Sequence, residues 1–151
     1  MRQSLTLVFL MFSLALGAGG TVAAEDEGNG PDIVMSGENV DLTEFKWIKR
    51  PLVVFADSPA DPRFVQQMEY INDRLEDLAE RDVVVLTDTA ADTGSALRDK
   101  LHPRGFMLTL IGKDGDVYLR KPLPWSVREI TRVIDKMPMR QQEIRDRRGD
   151  S

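Results

Sequence analysis

The chain has 151 residues, 42% of them hydrophobic and 30% charged, with a net charge of −5 and no cysteine. That mixture fits one globular domain with extensions. The acidic balance argues against sequence-independent nucleic-acid binding, which needs a basic face, and the lack of thiols excludes disulfides, thiol catalysis, Cys-ligated metal and a lipidated Cys anchor.

Arg2 precedes the apolar run Leu5 to Ala18, and small residues follow up to Val22-Ala23-Ala24. These are the parts of a secretory signal peptide with cleavage after Ala24, so residues 1–24 are expected to be removed and the mature protein to be periplasmic or secreted. The run is shorter than the ~20 residues that a membrane span needs, so no membrane association is expected after cleavage. Removing Arg2, the only charge before Glu25, takes the net charge from −5 to −6. Residues 25–41 are acidic, Gly-rich and poor in large apolar side chains, which predicts a flexible leader. The domain is expected to span 42–138.

Leu42, Phe45, Trp47 and Ile48 predict a turn of helix or an edge segment over the core, with Trp47 packed inward. Leu52 to Phe55 is apolar on both faces and reads as an interior strand. Asp61 followed by Pro62 is a helix start. Phe64, Met68, Ile71, Leu75 and Leu78 then predict an amphipathic helix of about five turns. Val83 to Leu86 is a second interior strand with strong β propensity, so the three elements form a right-handed βαβ unit with parallel strands. A short helix is expected over Ser95 to Leu101, ended by His102-Pro103. Phe106 to Ile111 and Asp116 to Arg120 form an antiparallel hairpin about Asp114-Gly115. Ser126 and Glu129 form a capping box, with Trp125 and Ile130 as a hydrophobic staple, for a helix that ends at Pro138. Residues 139–151 read as a charged, frayed tail.

This order resembles the thioredoxin core, which implies a three-layer α/β fold: a central mixed sheet of about four strands with flanking helices. Arg104-Gly105-Phe106-Met107-Leu108 and Lys113-Asp114-Gly115 are similar to the strand entrance and turn of thioredoxins, and Ala60-Asp61-Pro62-Arg63 falls where those proteins have Cys-Gly-Pro-Cys. Ala60 and Arg63 thus stand at the two cysteine positions and Met107 at that of the cis-proline. Disulfide exchange needs a thiolate attacking sulfur, so reductase, isomerase and thiol peroxidase activities are excluded. Four phrases, 47–56, 80–85, 110–115 and 134–140, together resemble the DUDES domain. That is a thioredoxin-like domain of unknown function found in exported bacterial proteins and repeated in vertebrate matrix proteins of the equarin type. The resemblance implies an exported module and transfers no activity; matrix binding belongs to the vertebrate proteins.

Asp57, Ser58, Asp61 and Arg63 gather at the end of the central strand, where open α/β folds bind ligands. With Arg104 and Met107 they form the candidate binding surface, Arg63 and Arg104 meeting a carboxylate or a partner's backbone. The plainer alternative has Asp61 capping its helix and Arg63 paired with Asp57 or solvent. A cation site from Asp57, Asp61, Asp88 and Asp92 lacks a compact ligand loop, so no metal is expected. His102 is the only histidine, and a hydrolase pairing with Ser58 has no supporting elbow motif; Gly-rich phosphate loops are also absent, so no cofactor is expected. The terminal Arg148-Gly149-Asp150-Ser151 is similar to an integrin-binding motif, and a solvated tail is its simpler reading. The expected function is a non-catalytic module that binds a protein or cell-envelope partner through the loop after the central strand. The alternatives are a cysteine-independent enzyme using carboxylates or His102 at that loop, and a structural or adhesive protein.

Overall fold

The computed structural model describes residues 30–150. The signal-peptide reading of residues 1–24 and the first part of the leader lie outside them.

The apolar runs become the inner strands, and the more polar Val117–Lys121 forms an edge strand. β1 (Val34–Ser36), β2 (Arg50–Phe55), β3 (Val83–Asp88), β4 (Met107–Ile111) and β5 (Val117–Lys121) form one five-stranded sheet in the order β1-β3-β2-β4-β5. β1, β3 and β2 are parallel, while β4 runs antiparallel to β2 and β5 antiparallel to β4. Every residue of β2 is buried, as a central strand covered on both faces requires.

The alternation of side chains along β2 divides the core into two layers. Leu52 and Val54 face Ile71, Leu78, Ile130 and Ile134, which come from α1 (Pro62–Asn72), α2 (Leu75–Ala79) and α4 (Val127–Asp135). Val53 and Phe55 face the opposite way, toward Leu97 and Leu101 of α3 (Ala96–Leu101) and Leu42 of a 3-10 turn over Leu42–Phe45. This is the expected three-layer mixed α/β fold, with five strands where about four were expected.

The extra strand comes from the predicted leader. Val85 N–H donates to Ile33 O at 2.7 Å, and Gly37 N–H donates to Thr87 O at 2.8 Å. Ile33-Val34-Met35 is a short apolar run inside an acidic segment, and it satisfies backbone groups that β3 would otherwise leave open. The predicted five-turn helix is also divided. Asn72 and Asp73, whose short polar side chains compete with helical backbone bonds, precede Arg74 at φ −143° and ψ 40°, and the chain restarts as α2.

Trp47 departs from its expected core position, for it and Ile48 are each 62% exposed. Leu42 and Phe45 take the inner places, and the chain turns into β2 through a left-handed Trp47 at φ 69° whose N–H donates to Lys113 O at 2.7 Å. A non-Gly residue in that region is strained. Trp47→Gly is expected to raise unfolding stability by about 0.5–1 kcal/mol, net of glycine's own entropy; a lowered urea midpoint would refute this.

The predicted tail is α5 (Pro138–Gly149). Pro138 sits at its first turn, where a proline starts a helix as readily as it ends the one before. Arg140 is buried, and Glu143 reaches the start of β2, where its Oε1 accepts from Arg50 Nη2 at 2.9 Å and Lys113 Nζ at 2.8 Å. Charge pairing therefore holds the segment against the domain.

Candidate functional site

The loop after β2 is rigid because each turn of it is tied locally. Ala56 N–H continues the sheet by donating to Asp88 O at 3.0 Å. Ser58 Oγ accepts from Ala60 N–H at 3.1 Å, and Asp61 N–H donates to Ser58 O at 3.1 Å. Asp61 caps α1 as expected, accepting from Arg63 N–H at 2.9 Å. The same carboxylate takes the Arg63 guanidinium at 3.2 and 3.0 Å. Arg63 thus pairs with Asp61, two residues away, instead of Asp57. Its side-chain hydrogen bond, then its backbone one, hold the Asp61 pKa below the usual carboxylate value.

Beneath the loop lies a buried cluster. Arg98 Nη2 donates to Ala56 O at 2.7 Å, while Nε donates to Asp88 Oδ1 at 2.9 Å and the guanidinium sits 5.5 Å over the Phe55 ring. Ser95 Oγ donates to the other Asp88 oxygen. Asp88, considered above as a cation ligand beside Asp57, Asp61 and Asp92, is instead fully committed to Arg98 and Ser95. Among the described residues, no group of three or more His, Asp or Glu gathers as a metal site. Sequence reasoning missed Ser95 and Arg98. The available signal was Asp88 itself, a carboxylate at the end of an otherwise apolar strand, which burial obliges to find a cation.

The strand entrance brings part of the candidate surface together. Gly105, at φ 62°, runs close to both Asp57 and Arg63: a Cβ there would lie 3.9 Å from Asp57 Oδ2 and 3.9 Å from Arg63 Nη2. Arg63 also lies 5.8 Å over the Phe106 ring. From there Arg104, Phe106 and Met107 continue into a groove of about 230 Å³, completed by His102, Arg120, Lys121 and Pro122. Arg120 is braced by Leu101 O at 2.6 Å, and Lys121 Nζ lies 4.2 Å over the Trp125 ring. Among the described residues, no carboxylate is within ion-pair distance of Arg104, Arg120 or Lys121. Ser58 and Asp61 do not line this groove. His102 is the left-handed cap of α3 at φ 49°, and no hydrogen bond among the described residues joins it to Ser58 or Asp57. The groove thus sets cations, Arg120 and Lys121 among them held by neighbours, around a partly apolar floor.

The family profile described as "Domain of unknown function (DUF4174)" matches residues 41–143, most of the chain. The chain belongs to this family. Coiled-coil domain-containing protein 80 of Danio rerio is 29% identical to the DUF4174 chain over 133 residues. The match covers 68% of the chain and only 15% of that relative, so the chain spans a small part of the relative's length. Among solved structures, the reduced 2-Cys peroxiredoxin of Plasmodium vivax is similar at a TM-score of 0.54 and 17% identity, covering 68% of this chain and 85% of the other. Thioredoxin peroxidase I of Plasmodium yoelii is similar at a TM-score of 0.47 and 19% identity, over 68% and 80% of the two chains. The first likeness shows a thioredoxin-type fold. It carries no chemistry over, because the DUF4174 chain has no cysteine.

Proposed function

We propose that this DUF4174 chain is an exported, non-catalytic thioredoxin-like module that binds an acidic segment of a protein or cell-envelope partner. The binding surface is the loop after β2, with Asp57 and Arg63, together with the adjoining groove of Arg104 and Met107. One observation carries this reading: Arg104, Arg120 and Lys121 converge on a groove floored by Phe106 and Met107 whose lining, among the described residues, contains no carboxylate. In a protein of net charge −5, that local excess of positive charge attracts an acidic partner and orients it. The basic start, apolar run and small residues ending at Ala24 support export, and so does the likeness of four phrases to the DUDES domain.

A photoreactive residue at Ser58, an exposed position of the β2 loop outside the groove lining, tests this in cells. Discrete protein adducts are expected, and Arg104→Glu together with Arg120→Glu should cut their yield about tenfold, rim charges contributing roughly 0.5–1 kcal/mol each. A blank, or adducts indifferent to charge reversal, would sink the proposal.

A further inference from the structure

At the opposite end of β2 from that loop lies a second polar site, built around the first residue of the strand. Arg50 is completely buried. Its Nη1 donates to Arg81 O at 2.8 Å and its Nη2 to Glu143 Oε1 at 2.9 Å, while Nε has no partner. Lys113, from the β4–β5 turn, donates to the same Glu143 oxygen at 2.8 Å and to Asp82 at 2.8 Å. Arg140 of α5 holds the other Glu143 oxygen at 3.3 Å. Asp135, at the end of α4, receives Arg81 through both oxygens at 2.9 Å. If Glu143 is taken away, the carboxylates left in ion-pair range of Arg50, Arg81, Lys113 and Arg140 among the described residues are Glu80, Asp82 and Asp135, and none of them reaches Arg50.

The helix that supplies Glu143 buries little apolar surface. Arg140 is the only fully buried residue of α5, with Met139 and Ile144 half-buried. A helix docked by a broad apolar face would bury several such side chains; this one is seated by polar contacts, Glu143 on Arg50 and Lys113 and, nearer its start, Arg140 and Gln141 on Asp135. Meanwhile the two donors to Glu143 Oε1 come from β2 and the β4–β5 turn, elements held by the sheet and not by α5.

We propose that Arg50 and Lys113 form a receptor for a carboxylate or phosphate group, that Glu143 fills it as an intramolecular ligand, and that α5 is a displaceable plug. An external anion of that chemistry competes with Glu143 for the same N–H groups and frees the helix. This site is independent of the groove at the other pole.

Glu143→Ala vacates the position of the carboxylate while leaving the donors. Thermal unfolding of this variant in formate, and separately in inorganic phosphate, is compared with chloride at equal ionic strength. The melting temperature is expected to rise by about 4 °C or more in formate or phosphate, since a ligand bound only by the native state stabilises it. Formate alone acting marks a receptor for carboxylates, and phosphate also acting marks a broader anion site. Arg50→Met in the Glu143→Ala background should abolish the rise. In the unsubstituted protein, the anion that raises the melting temperature of Glu143→Ala should also speed hydrogen exchange of the α5 amides about threefold or more, because displacement opens the helix. No anion-specific rise in Glu143→Ala, a rise that survives Arg50→Met, or α5 exchange indifferent to that anion would each overturn the proposal. Should Glu143→Ala not fold, Glu143→Gln keeps the shape without the charge, and α5 exchange no faster than in the parent protein would overturn it equally.

Discussion

Asp88→Ala is expected to lower stability by about 3–5 kcal/mol, the range found when one partner of a buried ion pair is removed. Asp88 is 4% exposed and accepts from Arg98 Nε and Ser95 Oγ, while Arg98 also supports Ala56 O at the base of the loop. Loss of the carboxylate strands a guanidinium that is only 11% exposed as a side chain and leaves Ser95 without its acceptor. The paired change Asp88→Leu with Arg98→Leu removes both charges and should be less damaging than either change alone, because no unpaired charge stays buried. Chemical denaturation of the single and double variants measures this. A double variant as unstable as the sum of the singles would mean that the pair does not act as a unit.

The second large effect is acid lability seated at Glu143. Burial opposes ionisation of this side chain, but hydrogen bonds from Lys113 and Arg50, with the attraction of the same two cations, outweigh it and hold the pKa down at about 2 against an ordinary 4.5. Because the folded value lies below the unfolded one, the stabilisation is fully present above about pH 4.5 and fades as the pH falls toward 2. The shift corresponds to roughly 3 kcal/mol. Asp135 adds in the same direction, its pKa lowered chiefly by the hydrogen bond from Arg81. Denaturant midpoints measured between pH 6 and pH 2 should therefore fall steeply below pH 4.5, and Glu143→Gln should flatten that fall. An unchanged slope in the variant would move the acid lability elsewhere.

The features legible in the sequence are those decided by neighbours within a few residues. The run Leu52 to Phe55, the Asp61-Pro62 helix start and the Ser126–Glu129 capping box are local signals, and each is present with the expected geometry. Pairings across the chain were not legible. Gln67, a polar residue outside the apolar spacing that marked this helix, is buried because its amide donates to Trp125 O at 2.9 Å and accepts from Trp125 N–H at 2.8 Å. Arg50 looks like a strand flank until Glu143 arrives from 93 positions away. Likewise, the charged composition of 139–149 argues against burial one residue at a time, and only the facing cations explain why the helix docks. At the candidate site, Asp57, Arg63, Arg104 and Met107 do fall on adjoining surfaces, since the thioredoxin-like order of elements already brings the β2 loop beside the entrance to β4. Ser58 and Asp61 are used by the loop to close itself, Ser58 accepting from Ala60 N–H and Asp61 from Arg63 N–H. Trp47 was misplaced for a conformational reason, as no propensity scale anticipates a tryptophan at φ 69°.

The short first strand has a practical consequence for the boundaries of the folded unit. The family match begins at residue 41, after β1, and ends at residue 143, within α5. A fragment trimmed to that span would uncover the backbone rim of β3, whose Val83 to Leu86 side chains are buried, and would halve the helix that carries Glu143. Such an unprotected apolar rim invites another chain to add itself as a strand. Three residues of sheet contributed by an acidic, Gly-rich segment therefore cap the rim at which such strand addition would start.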